Sequence, residues 1–264
     1  LDKPDQRDMA EQEGQKEHRG QERQPLQGLK ILRVLGIDIY INYTWLIIFA
    51  LVAWSLAAGY FPAALPGRSS LLYWGLGLAA AVLLFASVLV HELTHSVVAK
   101  SLGLHISGIT LFLFGGVSNL TDAPPDPGSE LKIAVSGPLS SLALSGLFYL
   151  FRVVVPGPPA LSAILGYLFA VNLLLAIFNI IPGFPLDGGR LLRSLLWWKT
   201  HNLKRSTLMA ASAGSGVGWA LVAFGLLGVF AGNPLGGIWL VLIGLFLRSA
   251  ANYSWTRAKQ GQEV

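Results

Sequence analysis

The chain has 264 residues, 53% of them hydrophobic and only 12% charged, with a mean hydropathy of +0.57; a soluble globular protein of this length needs far more charge to cover its surface. It contains no Cys, which excludes disulfides and any thiolate metal site. The net charge of +5 does not mark a nucleic-acid-binding face, because the basic residues flank apolar runs and so report membrane topology.

Residues 1–24 carry seven acidic and five basic side chains and almost nothing large and apolar, a composition that cannot collapse into a core. Residues 1–29 are therefore expected to be a polar, disordered tail. A helix needs roughly 20 apolar residues to cross the hydrocarbon core. Six stretches qualify, at about 42–60, 71–100, 130–151, 161–182, 206–231 and 235–251. Pro62, Pro66 and Gly67 separate the first two, Pro156-Gly157-Pro158-Pro159 the third and fourth, and Gly232-Asn233-Pro234 the last two. The predicted fold is a polytopic α-helical membrane protein, with a six-span domain over residues 30–251 and a short cytoplasmic tail over 252–264. With the N-terminus inside, the outer loops hold only Arg68 and Arg152. The inner segments hold Lys100, Lys132, Arg190, Arg193, Lys199, Lys204, Arg205, Arg248, Arg257 and Lys259. That asymmetry predicts a cell-membrane protein with both termini in the cytoplasm.

The second span ends in His91-Glu92-Leu93-Thr94-His95. Helical residues four apart share a face, so two imidazoles there can grip one metal ion while Glu92 acts as a base toward water. A central charge in hydrocarbon costs about 2.5–3.5 kcal/mol, which weakens the accidental reading of such a motif. Residues 106–121 are apolar but too short and glycine-interrupted to span. Ile109, Thr110, Phe112 and Phe114 favour strand and Gly115-Gly116 a turn or bulge. The segment reads as a short re-entrant β-hairpin between spans two and three, with an ordinary cytoplasmic loop as the competing reading. An exposed strand edge there could pair with an unwound substrate by strand addition.

A catalytic zinc site usually has a third protein ligand and an open position. His105 follows too closely on an exit loop, and His201 lies in a polar, basic stretch, which leaves Asp187 as the better candidate. It closes the run Asn179-Ile180-Ile181-Pro182-Gly183-Phe184-Pro185-Leu186-Asp187-Gly188-Gly189. The prolines end the helix and the glycines allow a tight turn; a helix-ending Asx turn is the competing role for Asp187. Spans two and four run in the same direction, and His91 lies about 20 residues, or about 30 Å, into its span. His91 and Asp187 should therefore reach similar depth. Asn172 is read as interhelical polar bonding, Gly214 and Gly218 as helix packing, and Trp197 and Trp198 as an interfacial anchor.

These paired motifs resemble the site-2 protease family of intramembrane zinc metalloproteases, closest to a prokaryotic branch whose second motif reads N-x-x-P-x-x-P-L-D-G. The resemblance covers residues 30–250. It implies that His91, His95 and Asp187 bind one Zn2+ ion per chain and that Glu92 is the general base. It also implies that Asn179 orients substrate or a reaction oxygen, although interhelical polar bonding explains Asn179 nearly as well. His₂Asp ligation suits zinc without excluding iron or cobalt. Ser136-Gly137-Pro138 resembles a small-residue motif of the family, and close packing or a kink explains it equally well. Many members carry paired CBS domains after the last span; with the sequence ending at Val264, a short or truncated member is expected. The activity implied is hydrolysis of a peptide bond in a transmembrane or membrane-proximal segment of a membrane-protein substrate, as in regulated intramembrane proteolysis. The rivals are a metal transporter, which would need ligands along a path that the outer halves of the spans do not offer, and an inactive homologue, which would be expected to lose Glu92 or a ligand.

Overall fold

The computed structural model describes residues 28–112, 115–120 and 123–260; the polar tail expected over residues 1–29 falls almost wholly outside them. Helix starts follow local capping chemistry. Strand β1 (Leu29–Val34) and strand β2 (Ile37–Ile41) precede helix α1 (Tyr43–Ser55), whose N-cap Asn42 accepts a bond from Thr44 N at 2.9 Å. A π-helical turn (Leu56–Tyr60) and the short α2 (Phe61–Ala64) extend α1 into one 22-residue span. Helix α3 (Ser70–Ser101) is capped by Ser69 and is followed by strands β3 (Ile106–Phe112) and β4 (Gly115–Leu120). Asp126 caps α4 (Pro127–Val154), and α5 (Pro159–Ile180) likewise opens on a proline, whose missing N–H costs nothing in a first turn. Helix α6 (Asp187–Thr200) is too short and polar to span. Asn202 caps α7 (Leu203–Phe230) and Asn233 caps α8 (Pro234–Lys259).

Among the described residues, six helices are long and apolar enough to cross a membrane, matching the six expected spans. The last runs on to Lys259, past the expected end at 251. Outward-facing apolar side chains such as Leu71 (84% exposed) and Phe230 (87%) have no protein to cover them, which suits helices whose solvent is lipid. Inside the bundle small residues bring helices together: Ala80, Ala81, Ala134, Ser141 and Ser145 are buried. Between α7 and α8, Gly218 faces the carbonyl of Gly244 and Gly225 that of Gly237. Asn172, as expected, is interhelical glue: it is 1% exposed and donates to Ser87 Oγ and Leu168 O.

The four strands form one sheet in the order β1-β2-β3-β4. The two hairpins are each antiparallel, and β2 joins β3 in parallel, with Ile39 opposite Ile109. Between β1 and β2, Leu35 and Gly36 both have positive φ (51° and 80°), the geometry of a two-residue hairpin turn. Ile37, Ile39, Ile109 and Leu111 make the buried face, packed on Trp45, Leu89 and Leu93. The hairpin expected over residues 106–121 is thus present as β3–β4; the pair β1–β2 was not expected.

Candidate metal centre

Helix α3 carries His91 and His95 one turn apart, each 3% exposed, and the first residue of α6 brings Asp187 to them. Asp187 Oδ2 lies 3.1 Å from Nε2 of both rings, and the two Nε2 atoms are 3.2 Å apart. Tetrahedral ligands at zinc bond lengths of about 2.0–2.1 Å would stand about 3.3 Å from one another. The triangle therefore has the size of one face of a zinc tetrahedron, and its donors are types that zinc takes. Among the described residues this is the one cluster of three or more His, Cys, Asp or Glu able to hold an ion. His105 and His201 are exposed and lie outside it.

The far side of each ring is also held. His95 Nδ1 lies 2.7 Å from the carbonyl oxygen of Ile133. A carbonyl only accepts, so Nδ1 carries the proton and Nε2 presents its lone pair to the triangle. His91 Nδ1 lies 2.9 Å from Ser141 Oγ. Both partners come from α4, which meets the rings at Gly137. A Cβ there would overlap His95 Nε2 and stand 2.7 Å from His91 Nε2. Close packing, one of the two explanations offered for Ser136-Gly137-Pro138, is what the structure shows, and the objects packed are the two imidazoles.

Asp187 is held by backbone. The turn after α5 contains Gly183, whose missing side chain admits Gly214 of α7, and Gly189 of α6 lies against Gly183 and Phe184 in turn. Gly214 is thus a packing residue, as expected, but its partner is this turn. The residue opens a helix and does not end one: Leu186 is the N-cap and Asp187 the first helical residue. Asp187 is buried, with Oδ2 turned toward the Nε2 atoms of both rings.

Glu92 lies beside the triangle under β4. Ser118 Oγ donates to its Oε2 at 3.1 Å and to its backbone oxygen at 3.3 Å, and Ser96 Oγ lies 3.0 Å from the same hydroxyl. Gly116 lies over the Glu92 side chain so closely that a Cβ would stand 3.2 Å from the carboxyl carbon. The triangle and Glu92 open into a cavity of about 500 Å³, lined also by Phe112, Asn179, Arg190 and Phe246. Asn179 lines it while its amide donates to the Leu175 carbonyl at 3.0 Å, one turn back.

Three features escaped the sequence reading. Glu130 (0% exposed) of α4 pairs with Arg193 (4%) of α6, Arg193 Nε lying 2.6 Å from its Oε1. Ser194 Oγ donates to the Pro127 carbonyl at 2.7 Å, pinning α6 to the start of α4. Arg190, between Asp187 and Arg193 on one face of α6, lines the cavity. The spacing of three from Asp187 to Arg190 and again to Arg193 was the available signal.

The matches to known proteins agree with this chemistry. The model of "Peptidase family M50" matches residues 79–166 and 158–223. The protein named "Putative zinc metalloprotease sll0528" of Synechocystis sp. is 40% identical over 236 residues, 89% of this chain and 62% of that protein. "Zinc metalloprotease MJ0392" of Methanocaldococcus jannaschii is 34% identical over 223 residues, 83% of this chain and 58% of that protein. The chain thus spans about three fifths of the length of these curated relatives. Among solved structures, "Site-2 Protease from Methanocaldococcus jannaschii" superposes with a TM-score of 0.59 at 31% identity, over 86% of this chain and 95% of that one.

Proposed function

Since the chain belongs to peptidase family M50, the site-2 proteases, and its relatives are named zinc metalloproteases, we propose that it is an intramembrane metalloendopeptidase of the His-Glu-x-x-His type. It hydrolyses a peptide bond in a transmembrane or membrane-proximal segment of another membrane protein, in regulated intramembrane proteolysis. His91, His95 and Asp187 are its zinc ligands. The observation that carries the reading is the buried triangle of 3.1–3.2 Å edges, with Glu92 at its side in one cavity.

A zinc ion held there supplies a Lewis acid for the scissile carbonyl and acidifies a water. Ile133 and Ser141 fix the imidazole orientations, so the ligand set is preorganised. Glu92, oriented by Ser118, takes a proton from the attacking water and returns one to the leaving amine. Asn179 borders the cavity and orients substrate. The apolar helices keep bulk water away, and the Lys/Arg asymmetry supports a cell-membrane protein with cytoplasmic termini.

The test is cleavage of single-span membrane proteins in detergent by wild type and Glu92→Gln, with zinc measured on both. Cleavage by wild type alone, with zinc retained in the variant, is the expected result. Zinc in both proteins and cleavage by neither would move the function to metal binding or transport.

A further inference from the structure

Arg190 follows Asp187 by one turn of α6 and lines the same cavity. Its neighbour one turn further, Arg193, is matched to Glu130, whose Oε1 takes both Nε and a terminal nitrogen of that guanidinium. Arg190 has no such match: among the described residues nothing forms a hydrogen bond or ion pair with its guanidinium. A partly buried cation left bare in an apolar-walled cavity is costly, and such violations concentrate at functional sites.

Charge accounting locates its use. Two neutral imidazoles, Asp187 and Glu92 together balance a divalent ion, and Glu130 balances Arg193. Arg190 is the surplus charge among the described residues lining the cavity. During hydrolysis water gives a proton to Glu92 while its oxygen bonds to the carbonyl carbon, and the C=O π pair moves onto the carbonyl oxygen. One negative charge has thereby travelled from the Glu92 carboxylate to that oxygen. The pair returns as the C–N bond breaks, and the nitrogen leaves with the proton from Glu92. A fixed cation speeds the first step if it stands closer to the carbonyl oxygen than to Glu92. Arg190 shares its helix with Asp187, one turn away, whereas Glu92 enters the cavity from α3.

Resting on the peptidase reading above, we propose that Arg190 is a catalytic residue whose guanidinium binds the scissile carbonyl oxygen as that oxygen becomes negative. A planar fork of donors suits an oxyanion better than a point charge does, and it stays protonated in a dry site.

The experiment measures binding to zinc-loaded full chain in detergent, by calorimetry, of two probes. One is a peptide phosphinate, a tetrahedral anion that copies the charged species. The other is the same peptide with a neutral ketomethylene at the scissile position. Arg190→Gln is expected to lose roughly 100-fold or more in phosphinate affinity, with ketomethylene affinity and zinc content unchanged. Its kcat should fall by a similar factor at constant KM. Arg190→Lys keeps the charge without the fork, decides the matter if the Gln variant does not fold, and should lose roughly tenfold. Phosphinate affinity untouched in both variants would overturn the role of Arg190 and leave the peptidase reading standing. Loss of both probes together with zinc would also overturn it, by making Arg190 a support of the metal site. A wild type that holds zinc, ignores the phosphinate and cleaves nothing would overturn the peptidase reading, and the role of Arg190 with it.

Discussion

Gly137→Ala is the sharpest test of how the proposed metal centre is built, because it adds one methyl group and changes none of the proposed ligands. The new Cβ would overlap His95 Nε2 and stand 2.7 Å from His91 Nε2, whereas ordinary contact begins near 3.4 Å. His91 must then retreat by roughly 0.7 Å, and His95 by more, where metal–ligand distances tolerate about 0.2 Å. The rings cannot pivot freely, since Ser141 and the Ile133 carbonyl hold their other nitrogens and both partners sit on the same helix as the intruding methyl. Relief therefore requires α4 to move away from α3, which stretches those same bonds. Zinc affinity, measured by competition with a graded chelator, should fall by about 100-fold or more, the upper end of effects seen when ligand support is lost. Thermal unfolding of the zinc-free protein should change far less. If Gly137→Ala binds zinc as tightly as wild type, the fit of α4 against the imidazoles is not what positions them.

Two further outcomes follow from the groups that hold the ligands in place. Ser141→Ala removes only the partner of His91 Nδ1, and zinc affinity should fall by about 10–100-fold with the fold intact, as read by the same chelator competition and by gel filtration. Glu130→Ala strands the Arg193 guanidinium in a buried site and should destabilise the protein by about 3–5 kcal/mol in an SDS or thermal unfolding assay, whereas Glu130→Met with Arg193→Leu should be near neutral; equal losses in the two proteins would contradict this account.

The spans were legible because hydrocarbon thickness imposes a length and proline–glycine breaks mark its ends. The meeting of His91, His95 and Asp187 was legible because few ionisable residues lie near such spans, and the i, i+4 spacing of His91 and His95 already fixes two donors on one face. The hairpin of β1 and β2 was not. Its turn is Leu35-Gly36 in place of the asparagine–glycine pair that signals such turns, and its reason for being a strand is a parallel partner, β3, some seventy residues on. Glu130 and Arg193 stand 63 positions apart, and nothing local in either segment names the other. The approach of Asp187 to the histidines was legible while its helix was not, because a polar segment after a span looks like an exit loop until packing against α4 and α7 gives it one buried face.

The turn that carries Asp187 meets α7 through glycines on both sides, Gly183 against Gly214, with Gly189 closing behind it. Contacts elsewhere in a protein are made by side chains that hop among rotamers, and each hop blurs whatever they position. Here main chain rests on main chain, with no rotamer in between to hop or to repack. The carboxylate is therefore indexed to α7 as stiffly as the two backbones themselves, and a stiff index has a converse. A methyl group at any of these three positions finds no pliable neighbour to absorb it, so the error passes undiminished to the proposed metal ligand. Substitutions compatible with this crossing are those at residues pointing away from it.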